Sequence, residues 1–321
     1  MFVAGAKDGS RQVGLYLVSE FSMVAFMSAV ETMRLANWVS GKALYTWRLI
    51  SGDGRPVTAS AGIDVVVDEA VADVNFCPTV LVCGGVDIQN REDPKLFAWL
   101  RRLASRGAAI GALCTGSHLL ARAGLLDGYR CTIHWENLPG FTEAFPDIEV
   151  SSDLYEIDRN RLTCSGGTAA IDMMLNVIAE ENGYELAAAV SDELIYERIR
   201  EQSDHQRKDL RQRLGVSHPK LLAVIADMED NLEAPLRQRD LAHHVGLSTR
   251  QLERLFRKYL HCTPTRYYLE LRLNRARLLL LQTSLSVLSV AVACGFVSAS
   301  HFSKCYREHF HRTPREERRI P

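Results

Sequence analysis

In Gly111-Ala112-Leu113-Cys114-Thr115-Gly116 a cysteine stands on a glycine-flanked turn, between a buried-type run, Ala108–Leu113, and a helical stretch, Ser117–Ala123. A residue on such a strand-to-helix turn is a nucleophile elbow, presented near the start of a helix. The helix dipole there is expected to lower the thiol pKa. His134 follows in Thr132-Ile133-His134-Trp135-Glu136. Taken alone, the pair points to a Cys/His hydrolase, or to a thiol that oxidises to a sulfenic acid as a redox sensor. The same residues suit a binding pocket. Amides at the Thr115–Ser117 helix start suit a carboxylate. In that reading Cys114, Thr115, His134, Trp135 and Glu136 hold a ligand and turn nothing over. A second glycine turn, Ser165-Gly166-Gly167-Thr168, also opens a helix and reads as a tight junction or a further pocket wall.

A different chemistry is written near the carboxyl end. In Leu241–Leu252, Ala242, Gly246 and Leu252 have the spacing of a helix-turn-helix. The small residue lets two helices approach, the glycine takes the turn, and the leucine packs the second helix on the first. Ser248 is the expected N-cap. Thr249, Arg250, Glu253, Arg254 and Arg257 then face outward. Val287–Phe302 repeats the pattern with Ala291 and Gly295, although Phe302 lies one residue further along than Leu252. Ser298 is its cap, and Ser298, Ala299, Ser300, His301 and Lys304 form the second candidate DNA face, with Arg307 beyond. Between them Pro264–Thr283 reads as one stiff helix of about 30 Å, close to the ~34 Å between successive major-groove faces. Its Arg266, Arg272, Arg275 and Arg277 are candidate phosphate contacts, which set affinity while base-edge contacts set sequence choice.

These motifs need two kinds of scaffold. The first two hundred residues alternate strand and helix signals: Val13–Val18, Trp47–Ile50, Ile63–Val67, Thr79–Cys83 and Ala108–Leu113 as strands, with Val24–Trp38 and Asp93–Arg106 among the helices. Such alternation predicts an α/β fold, a parallel sheet flanked by helices on both faces. Cys131–His134, Tyr155–Ile157 and Arg161–Cys164 add strands, and Gly167–Glu180 and Glu185–Ile199 read as helices. After a polar linker the strand signals vanish, and an all-α domain with two helix-turn-helix units follows. The expected domains are 1–200, a linker at 201–218, and 219–321.

Charge divides the same way. From His205 onward there are 21 Lys and Arg against 11 Asp and Glu, while residues 1–204 hold 17 against 28. A basic second half suits a polyanion such as double-stranded DNA. No run of about 20 apolar residues suggests a membrane span, and Met1–Gln12 lacks a signal-peptide core, so the cytoplasm is expected. The eight cysteines show neither a C-x-x-C pair nor zinc spacing, so no metal or cofactor is expected.

The carboxyl-terminal pattern, with Thr263-Pro264 after the first unit and Thr313-Pro314 after the second, resembles the AraC/XylS-type regulators over about residues 219–321. By that resemblance Arg250, Glu253 and Arg254 match base-reading positions of the first unit, and Ala299, Ser300 and Lys304 those of the second. His261 and His311 stand where the family usually has glycine, and Glu317 near a usual aromatic. The second contact is therefore expected to be weaker or differently aimed. Residues 11–200 resemble the class I glutamine amidotransferase-like superfamily, in its intracellular-protease-like branch, with Cys114 at the elbow and His134 near it. Thr115 stands where the active proteases carry histidine. Phe21–Val30 has no acid to meet the cysteine, and Glu31 lies beyond the expected place. The resemblance thus implies a sensor rather than an enzyme. The stretches Leu44–Leu49, Cys114–Leu126 and Thr132–Asn137 resemble the regulators that sense carnitine, glycine betaine and arginine, which implies a small amine-bearing acid as effector, with Trp135 or Trp47 offering a π face to its cation and Glu136 offsetting the charge. The implied protein is a homodimeric activator of amine or amino-acid catabolism genes, joined through its amino-terminal domain, that meets promoter DNA, a small amine effector and RNA polymerase.

Overall fold

The computed structural model describes residues 9–207 and 209–318. Residues 1–8, part of the segment read above as lacking a signal peptide, lie outside them. The chain divides into two compact units, Met1–Gln206 and Arg207–Pro321.

In the first unit β1 (Arg11–Leu17) leads into α1 (Met23–Ser40), capped by Ser22 and ended by a left-handed Gly41. Then come β2 (Tyr45–Ser51), the two-residue strands β3 (Val57–Thr58), β4 (Asp64–Val65) and β5 (Glu69–Ala70), and β6 (Thr79–Cys83). The strand expected at Ile63–Val67 is thus only half of a short hairpin with β3. After α2 (Pro94–Ser105), capped by Asp93, follow β7 (Ala109–Leu113), α3 (Ser117–Arg122) and β8 (Arg130–Thr132). The unit closes with α4 (Leu138–Ala144), β9 (Glu149–Ser151), β10 (Tyr155–Asp158), β11 (Arg161–Cys164), α5 (Ala169–Asn182) and α6 (Tyr184–Glu193).

The main sheet runs β10-β11-β7-β6-β1-β2-β5, and only the β10–β11 pair is antiparallel. Alternate residues feed two cores, as a strand's period of two requires. Leu15, Leu17, Leu81 and Leu113 pack with Phe26 and Met33 of α1 and Met173 of α5. Tyr16, Val80, Val82 and Ile110 pack with Trp99 and Leu100 of α2 and Leu120 of α3. With both faces covered, the central strands read as continuous apolar runs. The first crossover, to β2, goes to one side of β1, while β6 and β7 lie on the other. That makes a switch point between β1 and β6, and ligands of open α/β sheets sit outside the carboxyl ends of the strands at such points.

The helix expected to reach Ile199 stops at Glu193, and Ile195 turns the chain with a φ of 52°. The segment read as a linker is ordered at both ends. Gln202 binds Glu156 and Gln206 binds Thr132 within the first unit. α7 (Leu210–Leu214) packs through Leu210 and Leu214, and Val216 just after it, into the second unit's core.

The second unit is all helix: α8 (Pro219–Asp230), α9 (Gln238–His244), α10 (Thr249–Leu260), α11 (Pro264–Gln282), α12 (Val287–Ala293), α13 (Ala299–Phe310) and α14 (Pro314–Glu317). Two clusters form its core. One gathers Leu221 and Ile225 of α8 with Leu252 and Phe256 of α10, and the other gathers Leu273 of α11 with Phe302 and Tyr306 of α13.

Candidate DNA interface and effector cup

The helix-turn-helix geometry is the same in both repeats. Gly246 and Gly295 take φ of 63° and 70°. The next amide, Leu247 or Phe296, reaches back to the carbonyl of the small residue, Ala242 or Ala291, at 2.9 Å in each case. Ala242, Leu252, Ala291 and Phe302 are buried. Ser248 caps α10 in a reciprocal box with Gln251, and Ser298 caps α13 by accepting from the His301 amide. Ser248 to Leu252 and Ser298 to Phe302 are equal steps, so the extra residue of the second unit falls before the cap. It is Val297, fully exposed in the turn. Counted from the caps, Thr249, Arg250, Arg254 and Arg257 correspond to Ala299, Ser300, Lys304 and Arg307.

Thr249, Arg250, Arg254 and Arg257 are exposed on one face of α10, with Glu253 half-buried beside them and held by the Gln238 amide at 3.1 Å. A shallow hollow of about 540 Å³ runs along this face, lined by Ser248, Arg250, Gln251, Glu253, Arg254 and Arg257. On α13, Ser298, Ser300, His301 and Lys304 are exposed and Ala299 is half-buried. Lys304 lies 3.9 Å from Glu308, and His301 Nε2 lies 3.4 Å from Cys305 Sγ. The second face therefore carries shorter side chains than the first.

The arginines of α11 do not all face outward as candidate phosphate contacts. Arg272 donates to the Cys294 and Gly295 carbonyls, each at 2.7 Å, and its guanidinium lies 4.2 Å from the Phe296 ring centre. It clamps the second turn. Arg277 pairs with Glu317 at 2.9 Å, and Glu317 is almost wholly buried. The acid near the usual aromatic position is thus paired by a basic residue of α11. Arg275 is half-buried, with its Nε enclosed and without a hydrogen-bond partner among the described residues. Arg266 pairs with Glu270 on the surface. His261 and His311 end α10 and α13 in the left-handed conformation, φ 56° and 58°. The glycine's backbone role is kept by histidine.

In the first unit four loops meet beyond the carboxyl ends of β1, β6, β7 and β11. Cys114 takes φ 60° on the turn after β7, the strained elbow geometry. Its amide donates to the Cys164 carbonyl at 3.0 Å. Gly166 lies so close that a Cβ there would come within 2.6 Å of Cys114 Cβ. The glycine turn is therefore a wall against the cysteine. On the other side Thr115 Oγ1 donates to the Gly85 carbonyl at 2.7 Å, and a Cβ on Gly84 would strike the Gly116 amide nitrogen at 2.2 Å. Phe21 forms a bridge to Gly85, and Ser117 Oγ donates to the Thr132 carbonyl at 2.7 Å. That bond joins the elbow to the segment carrying His134, Trp135 and Glu136. The His134 and Trp135 rings meet at a tilt of 38°, with centres 5.5 Å apart. The charge of Glu136 is felt at Cys114. Trp47 sits apart, packed on the core with α1.

Electrostatics at the elbow run against the sequence expectation. Burial pushes the Cys114 thiol up to about 11; the Thr115 amide pulls it down and Glu136 pushes it up. α3 has only six residues, so its dipole is small against that desolvation. His134 is held below the usual histidine range, chiefly by burial, with Glu136 opposing. Glu31 pairs with Arg34 on the exposed side of α1. Glu20, one residue ahead of the acid-free window, is exposed and pairs with Arg91 at 3.8 Å. The Gly84-Gly85 wall and Glu20 are not among the site residues expected from the sequence, though two glycines directly after an apolar strand are the signal of a close backbone approach. Among the described residues no group of three or more His, Cys, Asp or Glu is placed to hold a metal ion, and no helix is long and apolar enough to cross a membrane.

Residues 11–180 match the model of the DJ-1/PfpI family, and residues 241–320 match that of a helix-turn-helix domain. The chain is similar to the HTH-type transcriptional regulator GbdR of Pseudomonas aeruginosa, 52% identical over 96% of this chain and 84% of that one. It is 45% identical to the HTH-type transcriptional regulator CdhR of the same species, over 97% of this chain and 92% of that one. The crystal structure of an AraC family transcriptional regulator from Pseudomonas putida matches 57% of this chain and 99% of its own, with 30% identity and a TM-score of 0.54.

Proposed function

This chain belongs to the AraC-type HTH transcriptional regulators that carry an amino-terminal DJ-1/PfpI domain, and from that membership we propose that it is a cytoplasmic, homodimeric activator of amine or amino-acid catabolism genes. Two capped recognition helices with outward basic side chains carry the reading. α10 supplies Thr249, Arg250, Glu253, Arg254 and Arg257, and α13 supplies Ser298, Ala299, Ser300, His301 and Lys304. Arg250 and Arg254 read base edges in the major groove, and the shorter second set sets a weaker half-site. The amino-terminal unit joins two copies and senses the effector, and RNA polymerase is the downstream partner.

The effector sits in the elbow cup of Cys114, Thr115, His134, Trp135 and Glu136. It is a small amine-bearing acid of the carnitine, glycine betaine or arginine class, its cation against Trp135 and Glu136. A protonated thiol and a histidine kept neutral support binding over hydrolysis, because neither supplies an activated nucleophile. Cys114→Ala is expected to leave no amide- or ester-hydrolysing activity to lose.

The test of the DNA assignment is Arg254→Ala. Its affinity for a selected promoter site should fall by about 1–3 kcal/mol, with relaxed preference at one base pair. Unchanged affinity and preference in a footprinting titration would remove Arg254 from the interface. A thermal-shift screen against carnitine, glycine betaine, dimethylglycine and arginine tests the effector class, since a ligand specific for the folded state raises its melting temperature. No shift with any of them would detach the chain from amine sensing and leave its DNA binding standing.

A further inference from the structure

A second cleft in the first unit is used by neither the cup nor the DNA face. It encloses about 470 Å³. One wall belongs to the body of the unit: Tyr155 on β10, Asn176 on α5 and Tyr184 at the start of α6. The other wall is the departing chain, Ile199, Arg200 and Glu201, which runs on to the DNA-binding unit.

That second wall is held in place at several points. The Arg200 amide and guanidinium bind the buried Asp172 at 2.8, 3.0 and 2.6 Å, and Nη2 also reaches Thr168 Oγ1 at 2.9 Å. The Gln202 carbonyl accepts from the Leu154 amide, and its side chain donates to Glu156 at 2.6 Å. Gln206 donates to Thr132 Oγ1 and to the Ile133 and Asp153 carbonyls at 3.0, 3.0 and 2.9 Å.

Inside the cleft, recognition groups are left over. Tyr155 is 4% exposed, yet its phenol makes no hydrogen bond among the described residues. Tyr184 is 70% exposed. The Glu201 carboxylate has no ion-pair partner among the described residues, and Arg200 is neutralised by Asp172. The field is negative: burial first, then Asp172, Glu201 and Asp204, push the Tyr155 phenol up to about 12.

We propose that this cleft binds a small alkylammonium cation, seated between the Tyr184 ring and the Glu201 carboxylate. The ring supplies a cation–π contact, the carboxylate supplies charge, and Ile199 covers the alkyl groups. The site lies apart from the elbow cup and asks for no carboxylate on the ligand. Its two halves come from different walls, so an occupant favours the state in which the departing chain is docked.

Choline, titrated calorimetrically into the full chain, tests the assignment. Saturable binding is expected, weakened about five- to tenfold by Tyr184→Ala and by Glu201→Gln, with slower amide exchange at 199–206 when choline is present. Both substituted side chains are exposed, so the variants keep the fold. The proposal is overturned by an absence of saturable binding, by binding indifferent to both substitutions, or by binding that disappears in Trp135→Ala. The last result would move the cation into the cup and leave the proposed function intact.

Discussion

At the scale of single residues, Cys114 decides between a sensor and a catalyst. Its thiol is pushed up to about 11, chiefly by burial, so at neutral pH it is almost wholly protonated, and the thiolate is the reactive form. Alkylation by iodoacetamide in the native protein should therefore rise with pH toward a midpoint near 11. A rate already on its plateau at neutral pH would restore the redox and hydrolase readings. His118, four residues on, makes a second prediction. It is buried against Phe141 and Phe145, and burial, with Arg122 acting the same way, lowers it to about 4 from 6.5. The folded state thus binds fewer protons than the unfolded chain between these values. The stabilisation is complete above 6.5 and is lost as pH falls toward 4, in total on the order of 3 kcal/mol. Urea midpoints from about pH 7 to 4 should fall less steeply in His118→Gln, and parallel slopes in the two proteins would refute this assignment. The elbow itself is legible from its glycines. The sign of the thiol shift is not, because it depends on loops from four strands closing over one residue, which local spacing does not record.

At the scale of elements, the carboxyl-terminal repeat is written in its caps. Ser248, Thr263, Ser298 and Thr313 each accept an amide at a helix start. The starts of α10, α11 and α13 are legible in the sequence because capping chemistry is local. The two turn glycines look alike in sequence but should respond differently. A Cβ at Gly246 meets nothing closer than Lys220 Nζ at 3.7 Å, whereas at Gly295 it would strike Pro235 at 2.6 Å and the Glu233 carbonyl at 2.8 Å. Gly246→Ala should cost about 1 kcal/mol for the backbone alone, and Gly295→Ala about 2 kcal/mol or more. Equal losses in thermal denaturation would contradict this packing difference. His261 and His311 lie in the same left-handed region without being glycine. Replacing either by glycine should stabilise by about 0.5–1 kcal/mol, read as a higher melting temperature. A lower one would mean the imidazoles make contributions that outweigh their backbone strain. The stretch from Arg200 to Gln206 is the illegible part. Its polar composition reads as a linker, but Arg200, Gln202 and Gln206 find partners 28 to 74 positions away. Only the closed fold brings those partners together.

At the scale of the whole molecule, a sensor must alter what its DNA-binding unit does, and the covalent route between the two runs through residues 200–206. Asp172 is the strongest point on that route. It is fully buried in the first turn of α5, close behind the Gly166-Gly167 wall of the cup, and it accepts both the Arg200 guanidinium and the Tyr196 hydroxyl. A ligand that shifts the glycine wall would act on the start of α5 and, through Asp172, on the departing chain. Such coupling requires the ligand to favour one docking state over another. Asp172→Asn keeps the shape but removes the charge that holds Arg200. The loss should be on the order of 3 kcal/mol in the stability of the amino-terminal unit, with faster amide exchange at 199–206. Effector binding by thermal shift should survive, because the side chains of the proposed cup are untouched, while promoter affinity should stop depending on effector. If the variant kept the full effector dependence of DNA binding despite a loosened segment, residues 200–206 would be a passive connection, and the signal would have to travel through noncovalent contact or through the arrangement of two chains.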